Sequence, residues 1–221
     1  MSLRVIALAA LAAFSLSAAE AAPIAWNTWS STSAGSIATG SGTVGVTFSG
    51  NAFGRLVDYP SYAPGTTWAD GSVVSNGPVA ANGILQLAGG STALQTVAFS
   101  QAVVNPVFSI WSLGQSGLTA SFVFQGATPV FVSGGPSAEY GGSPIVVAGN
   151  TVSGTEGNGT VEFIGTYTSL SWTNPQYEFW YGFDVGVAGV AAPVPEPETY
   201  ALMLGGLAAV AEQRRRRRAR R

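Results

Sequence analysis

The sequence predicts an all-β protein, built as a jelly-roll-like β-sandwich. Three observations lead to this fold class. Glycine accounts for 29 of the 221 residues and serine and threonine are abundant, and all three are poor helix formers. Hydrophobic residues make up 47% of the chain and include six tryptophans, so there is enough apolar surface to build a core. Apolar and polar residues alternate over many short segments that end in turn signals.

Residues 1–21 have the pattern of a secretory signal peptide. Arg4 provides a positive start, residues 5–16 are apolar apart from Ser15, and small residues follow up to Ala22. The alternative is an uncleaved membrane anchor. It is disfavoured because the apolar run has about 12 residues, whereas a membrane span needs about 20. We therefore expect export, with cleavage after Ala19 or Ala21.

Residues 22–192 are predicted to form the β-sandwich. Gly- and Pro-rich turn signals separate about nine to eleven predicted strands, and no segment has a helical period. Residues 52–90 contain Pro60, Pro64 and Pro78 and indicate a long loop. The clearest strand segments are 43–49, 94–100, 107–113, 118–125, 129–132, 144–148, 159–164, 168–173 and 177–187.

The composition excludes many kinds of chemistry. The chain has no Cys, His or Lys, which rules out a Ser-His-Asp triad, a Cys-His pair, a Schiff-base lysine and a histidine-ligated zinc. Between residues 23 and 192 one arginine, Arg55, stands against seven acids, which gives this segment a net charge of −6. Such a segment does not suit nucleic acid. We predict a protein that is not an enzyme and needs no cofactor.

Two kinds of carboxylate site remain to be considered. A carboxylate pair could hydrolyse glycosides, and calcium could bind among carboxylates and backbone carbonyls. For both sets of acids we favour ordinary structural roles: strand residues that face solvent, local hydrogen-bond acceptors, or turn residues. The candidates for a glycoside site are Glu162, Glu178 and Asp184, and those for structural calcium are Glu139, Glu156 and Asp70-Gly71.

Tryptophans are the strongest indication of a ligand, because a sugar ring stacks on an exposed indole. We expect Trp111, in a predicted strand, to lie in the core and Trp68, in the long loop, to be exposed. Asn158-Gly159-Thr160 is a glycosylation sequon, but Gly-Asn-Gly favours a hairpin turn. The six tryptophans are Trp26, Trp29, Trp68, Trp111, Trp172 and Trp180.

Residues 193–221 form a tail with three parts. A proline-spaced segment comes first, an apolar run over residues 199–211 follows, and an arginine cluster ends the chain. This order is typical of a stop-transfer signal that keeps the arginines in the cytoplasm. Thirteen helical residues span about 20 Å of a hydrocarbon core of about 30 Å, and snorkelling arginines partly offset the difference. The anchor residues are Tyr200, Leu202, Leu204, Leu207 and Val210, and the stop-transfer residues are Arg214, Arg215, Arg216, Arg217 and Arg218.

The alternative interpretation of the arginine cluster is a tail that binds nucleic acid or another acidic partner. It would account for the charge of the cluster, but it leaves the apolar run and the proline-spaced segment before the cluster unexplained.

This tail resembles the PEP-CTERM sorting signal of Gram-negative bacteria. Pro195, Glu196 and Pro197 match the motif of that family one for one, whereas Glu212, between the apolar run and the arginines, departs from the pattern. The resemblance implies that exosortase processes a precursor held transiently in the inner membrane. Four further segments resemble a domain common in PEP-CTERM proteins, to which no activity is attached: residues 110–115, 134–142, 156–160 and 171–175.

Together these features predict an exported protein of the cell surface or extracellular matrix, associated with exopolysaccharide. Its expected partners are the general secretion machinery, exosortase and extracellular polysaccharide. Two alternatives stay open: a carbohydrate-binding module with a defined glycan ligand, and a carboxylate-dependent enzyme that acts on glycosides.

Overall fold

The computed structural model describes residues 23–56, 67–78, 82–138 and 141–191, together with six residues of the tail. The described residues are mostly β, as predicted, and they form fourteen strands. The signal peptide predicted for residues 1–21 lies outside the described residues. In chain order the strands are β1 (Ala25–Trp29), β2 (Ala34–Thr39), β3 (Gly42–Ser49), β4 (Ala52–Leu56), β5 (Ile84–Leu87), β6 (Ser91–Leu113), β7 (Ala120–Gln125), β8 (Val130–Gly134), β9 (Ser143–Pro144), β10 (Val146–Ala148), β11 (Thr151–Gly154), β12 (Gly157–Glu162), β13 (Thr166–Asn174) and β14 (Tyr181–Val190).

The strands form one hydrogen-bonded network that closes on itself. Strand β6 is 23 residues long, and its first half pairs with β3 and β13 while its second half pairs with β12 and β14. Strands β6, β3, β2, β1 and β14 complete a ring, and the remaining strands extend outside it. The result is a small closed barrel with outer strands, in which β6 belongs to both walls.

Strand β6 bends at Asn105, where the sequence indicated a break between two strands. Asn105 has a φ of +47°, its N–H donates to the Gly165 carbonyl at 2.8 Å, and its Oδ1 accepts from the Gly165 N–H at 2.9 Å. These bonds replace the ladder bonds that the kink removes. One strand can therefore change direction and line both walls of the barrel.

Aromatic side chains fill the barrel. Phe108 of β6 stacks on Phe183 of β14, with ring centres 5.2 Å apart, and meets Trp172 of β13 edge-on at 5.4 Å. All three rings are fully buried. Burial of such large apolar surfaces is the main favourable term for this fold.

Residues 52–90 were predicted to be a long loop, and that prediction is wrong in part. They contain β4 and β5, and residues 67–78 lie against the outside of the sheet. The Thr160 hydroxyl donates to the Trp68 carbonyl at 2.9 Å, and the Ile24 N–H donates to Asn76 Oδ1 at 2.7 Å. We call residues 67–78 the cover segment, since it closes two small hydrophobic clusters outside the barrel.

The described residues of the tail are helical and exposed: Met203, Gly206, Leu207, Val210, Arg215 and Arg216. The part of the chain that the structure describes contains no helix long and apolar enough to span a membrane. The motif Pro195, Glu196 and Pro197, the anchor residues Tyr200, Leu202 and Leu204, and the stop-transfer residues Arg214, Arg217 and Arg218 lie outside the described residues.

Candidate functional site

A cleft of about 320 Å³ opens where β6 ends and β14 begins. Two carboxylates, a hydroxyl, an amide and two aromatic rings face it, which is the mixture of apolar walls and a few polar groups found in small-ligand sites. Its lining residues are Ser112, Gln115, Glu156, Glu178, Phe179 and Trp180.

Ser112 and Glu156 face each other across one side of the cleft. The Ser112 hydroxyl donates to Glu156 Oε2 at 2.9 Å. Both residues have positive φ, +51° for Ser112 and +54° for Glu156, which non-glycine residues rarely adopt. Such strain concentrates at functional sites and persists only where neighbouring bonds impose it.

Asn158 imposes this geometry from beneath the cleft. Its Oδ1 accepts from the Ser112 N–H at 2.9 Å, and its Nδ2 donates to the carbonyls of Glu156 and Gly141, both at 3.1 Å. Asn158 is fully buried in β12, so the hairpin turn predicted at residues 157–159 is wrong. The chain turns earlier, at residues 155–156. The buried, triply bonded amide cannot serve as a glycosylation acceptor.

Glu178 is the most unusual residue of the cleft. Only 3% of it is exposed, and its Oε2 accepts the Gly114 N–H at 2.7 Å. Burial, together with the nearby Glu156, raises the pKa of Glu178 to about 7. No described residue hydrogen-bonds Oε1, the oxygen left for a ligand. The cleft therefore contains a buried carboxyl group, one oxygen of which has no hydrogen-bond partner among the described residues.

Gly114 can hold Glu178 because it has no side chain. Its φ is +81°, and a Cβ at this position would lie 2.1 Å from the Gly154 carbonyl oxygen. Any other residue would have to push β6 away from β11, and the N–H would no longer point at the carboxylate.

Aromatic rings form the opposite wall. Phe179 is 59% exposed and is supported by the edge of Phe53, with ring centres 5.1 Å apart. Trp180 is half-buried and packs against Trp68 and Trp111 beneath it. The wall is therefore rigid on its inner side and open to solvent on its outer side.

The tryptophan predictions have mixed outcomes. Trp111 is fully buried, as predicted. The prediction that Trp68 is exposed is wrong: it is 3% exposed, stacks on Trp111 at 5.3 Å, and its indole N–H donates to the Ile110 carbonyl at 3.3 Å. The cover segment buries it against the sheet. Trp26, Trp29 and Trp172 are buried too, and Trp180 is the tryptophan that reaches the cleft.

The three acids considered for glycoside chemistry do not share one site. Glu178 lies in the loop before β14 rather than on a strand, and it lines the cleft. Asp184 is fully buried and accepts from Asn27 Nδ2 at 3.4 Å, while Glu162 is half-buried at the end of β12. Burial raises the pKa of both Asp184 and Glu162. Glu178 and Asp184 accept hydrogen bonds from residues far away in the chain, Gly114 and Asn27, so they are neither strand residues that face solvent nor the local acceptors that the sequence predicted.

Asp70 caps a turn of the cover segment. Its Oδ1 accepts the N–H groups of Val73 at 2.9 Å and Val74 at 2.8 Å, and the Ser72 hydroxyl also donates to the carboxylate. Burial would raise the pKa of Asp70, but these bonds outweigh it and lower the pKa. No group of three or more acids that could hold a metal ion occurs among the residues that the structure describes; Glu139 lies outside them.

Three of the four segments that resemble a PEP-CTERM domain meet at or beside the cleft, although they are separate in the chain; the fourth, residues 171–175, instead places Trp172 in the barrel core. Residues 110–115 provide Ser112 and Gln115, and residues 156–160 provide Glu156 and Asn158. The stretch that ends at Gly142 passes so close to Glu156 that a Cβ at Gly142 would lie 2.0 Å from the Glu156 carbonyl oxygen. That these segments come together was not predicted from the sequence. Their Gly and Asn residues are the feature of the sequence that could have indicated close packing of the backbone.

Comparisons with known proteins do not extend this description. The chain matches no protein-family model, no curated protein and no solved structure.

Proposed function

We propose that this chain is an exported surface or extracellular-matrix protein of a Gram-negative bacterium, sorted through a PEP-CTERM tail. Residues 1–21 direct it to the general secretion machinery, and residues 193–221 hold the precursor in the inner membrane as a short transmembrane helix. Exosortase then acts at Pro195, Glu196 and Pro197. The β-domain remains outside the cell among exopolysaccharide as a non-enzymatic component.

The observation that supports this proposal is where the two flanks leave the domain. Ala25 of β1 pairs with Val187 of β14, and residues 23–25 and 187–191 line one cavity of about 710 Å³. The cleft lies at the other end of β14, a strand of ten residues that is about 30 Å long. Residues 23 and 191, which are close in sequence to the two proposed targeting segments, therefore lie at one end of β14, and the cleft lies at the other end. This arrangement supports the proposal, because it would leave the cleft accessible in a domain displayed from a membrane.

The two rival functions differ in what the cleft does. A carbohydrate-binding module would use it to hold a defined glycan, and an enzyme would use Glu156 and Glu178 to cleave one. The exposed aromatic wall of Phe179 and Trp180 favours binding.

Variants of the tail test the sorting proposal. In a host with the processing enzyme, Leu204→Arg should release unprocessed protein from the membrane fraction, because a charge in the apolar run costs about 3 kcal/mol of insertion free energy. Glu196→Ala should leave a membrane-bound precursor, because insertion does not require that carboxylate. Fractionation and intact-mass analysis measure both outcomes.

Glu198→Ala is the matched control, because it removes a neighbouring carboxylate outside the Pro-Glu-Pro motif and should be processed normally. Normal processing of Glu196→Ala would contradict the motif assignment. Deletion of residues 214–221 should disturb location or processing, and no effect on either would contradict the stop-transfer role.

A further inference from the structure

We infer that the cleft between Glu156, Glu178 and the Phe179–Trp180 wall is a binding site for neutral pyranose oligosaccharides, held without cleavage. The inference rests on the proposed function, since it names the class of extracellular polysaccharide that the displayed domain would hold. Each feature of the cleft fits one feature of such a sugar.

The aromatic wall fits the apolar face of a pyranose ring. Phe179 presents more than half of its surface to solvent, and the Phe53 ring packs against it with ring centres 5.1 Å apart. Trp180 is anchored on its inner side by Trp68 and Trp111. Rings that are already ordered lose little conformational entropy when a ligand stacks on them, which favours binding.

The opposite side of the cleft fits hydroxyl groups. Glu156 is oriented by the Ser112 hydroxyl, and Gln115 adds an amide that can both donate and accept. Glu178 Oε2 is held by the Gly114 N–H, and no described residue hydrogen-bonds Oε1. Oε1 is therefore an acceptor in the cleft to which a sugar hydroxyl can donate.

The charge of the cleft selects against anionic sugars. Its lining contains two acids and no cation, and the segment from residue 23 to 192 carries a net charge of −6. A uronate carboxylate would meet Glu156 and Glu178 with no counter-charge among the residues that the structure describes in the lining, which is unfavourable in a partly buried site. Neutral hydroxyls face no such penalty.

Hydrogen bonds at the floor of the cleft hold both acids in place. Glu178 Oε2 is committed to the Gly114 N–H and Glu156 Oε2 to the Ser112 hydroxyl, so each acid has one oxygen engaged in maintaining the fold. Asn158 in turn fixes the backbone of both Ser112 and Glu156. These bonds give a rigid site that presents acceptors to hydroxyl groups.

Titration of the full-length chain in detergent micelles with defined hexasaccharides tests the inference. The probes are β-1,4-linked glucose, β-1,4-linked mannose and α-1,6-linked glucose hexamers, with hexagalacturonate as the anionic probe. At least one neutral hexamer should give saturable heat on calorimetry and change the tryptophan fluorescence, because Trp180 lies in the cleft. Hexagalacturonate should bind at least about tenfold more weakly.

Variants locate the site. Phe179→Ala and Gln115→Ala change exposed side chains that the fold does not need, and each should weaken binding by about tenfold. Phe131→Ala removes a ring of β8 with similar exposure (46%) that does not line the cleft, and should leave the affinity within about twofold. Glu156→Gln should also weaken binding.

Four results would overturn the inference: no saturable binding of any neutral hexamer, equal binding of the uronate, unchanged affinity of Phe179→Ala and Gln115→Ala, or release of shorter sugars on incubation. The purified chain is assayed without its host, so failure here leaves the sorting proposal intact. Normal processing of Glu196→Ala would conversely leave the binding site intact.

Discussion

Asp184 of β14 is a fully buried carboxyl group. It receives a hydrogen bond from Asn27, and the Val185 N–H and the Trp29 indole also favour its charged form, yet burial dominates and raises the pKa well above its ordinary value. The native state therefore keeps a proton that the unfolded chain releases. A carboxyl group of this kind destabilises the fold as the pH rises, which is the opposite of a salt-bridged aspartate.

Asp184→Asn should remove this penalty. The free energy of unfolding of the wild type should fall as the pH rises above 3.8, the ordinary pKa of the group, because the native state binds more protons than the unfolded state. At pH 7 the variant should be more stable than the wild type, because the asparagine carries no carboxyl group whose ionisation favours the unfolded chain. Urea unfolding between pH 3 and 8 measures the difference.

The difference between the two proteins should shrink towards pH 3, where Asp184 is protonated in both states. Some pH dependence should remain in Asp184→Asn, because burial also raises the pKa of Glu178 and Glu162. A constant offset across the whole range would show that the carboxyl group does not titrate in this window.

At the scale of elements, the cover segment is the least expected part of the fold. Residues 67–78 contain no strand, but Trp68 and Val74 are buried against the outer face of the barrel. Val74 packs with Ile24, Trp26 and Val107, and Asp70 holds the turn that places it there. The cover segment therefore places the side chains of Trp68 and Val74 on the outer face of the sheet, whose inner face packs on the barrel core.

Two adjacent valines test this layer. Val74→Ala removes two methyl groups from a fully buried site and should lower the free energy of unfolding by about 2 kcal/mol. Val73→Ala is the matched control, because that side chain is 38% exposed and its N–H still caps onto Asp70. It should cost less than about 0.5 kcal/mol. Equal effects in denaturant titrations would mean that the segment does not pack on the barrel in solution.

The strands could be predicted from the sequence because period-two alternation is a local property. Segments 43–49, 118–125 and 168–173 correspond to β3, β7 and β13 within a few residues. The same reasoning predicted two separate strands, 94–100 and 107–113, where the structure has the single strand β6. Asn105 lies between the two predicted segments, and its hydrogen bonds to Gly165 keep the strand continuous there. The same reasoning also began the last strand at residue 177 instead of 181, which concealed the loop that carries Glu178.

The cleft could not be predicted, because its chemistry depends on distant contacts. Glu178 acquires its character from Gly114, 64 residues away, and Ser112 acquires its partner Glu156 from 44 residues away. No local pattern records such pairs. Trp68 was misassigned for the same reason, since its burial depends on Trp111 and on the Ile110 carbonyl.

At the scale of the whole molecule, the barrel has a different cavity at each end of β14. Strand β14 connects them: its first residues adjoin the aromatic cleft, and its last residues adjoin the start of β1 and the beginning of the tail. Strand β6 runs antiparallel to it, with Trp111 at the cleft end and Val103 at the other. Two long central strands thus separate the flanks from the proposed binding surface.

If the flanks leave from one end, joining them should stabilise the domain. Residues 23 and 191 line the same cavity, and the Ala25–Val187 pair lies a few residues from each. A linker of about four Gly and Ser residues, closed by a split intein, should therefore connect them without strain. Closure of the backbone restricts the unfolded chain, and the free energy of unfolding should rise by about 2–4 kcal/mol, as loop-closure entropy predicts for cross-linked chains. The open chain with the same linker is the control, and thermal and urea unfolding supply the comparison. A cyclic product that is less stable than the open chain would show that residues 23 and 191 lie far apart. That result would remove the structural support for displaying the cleft from a membrane.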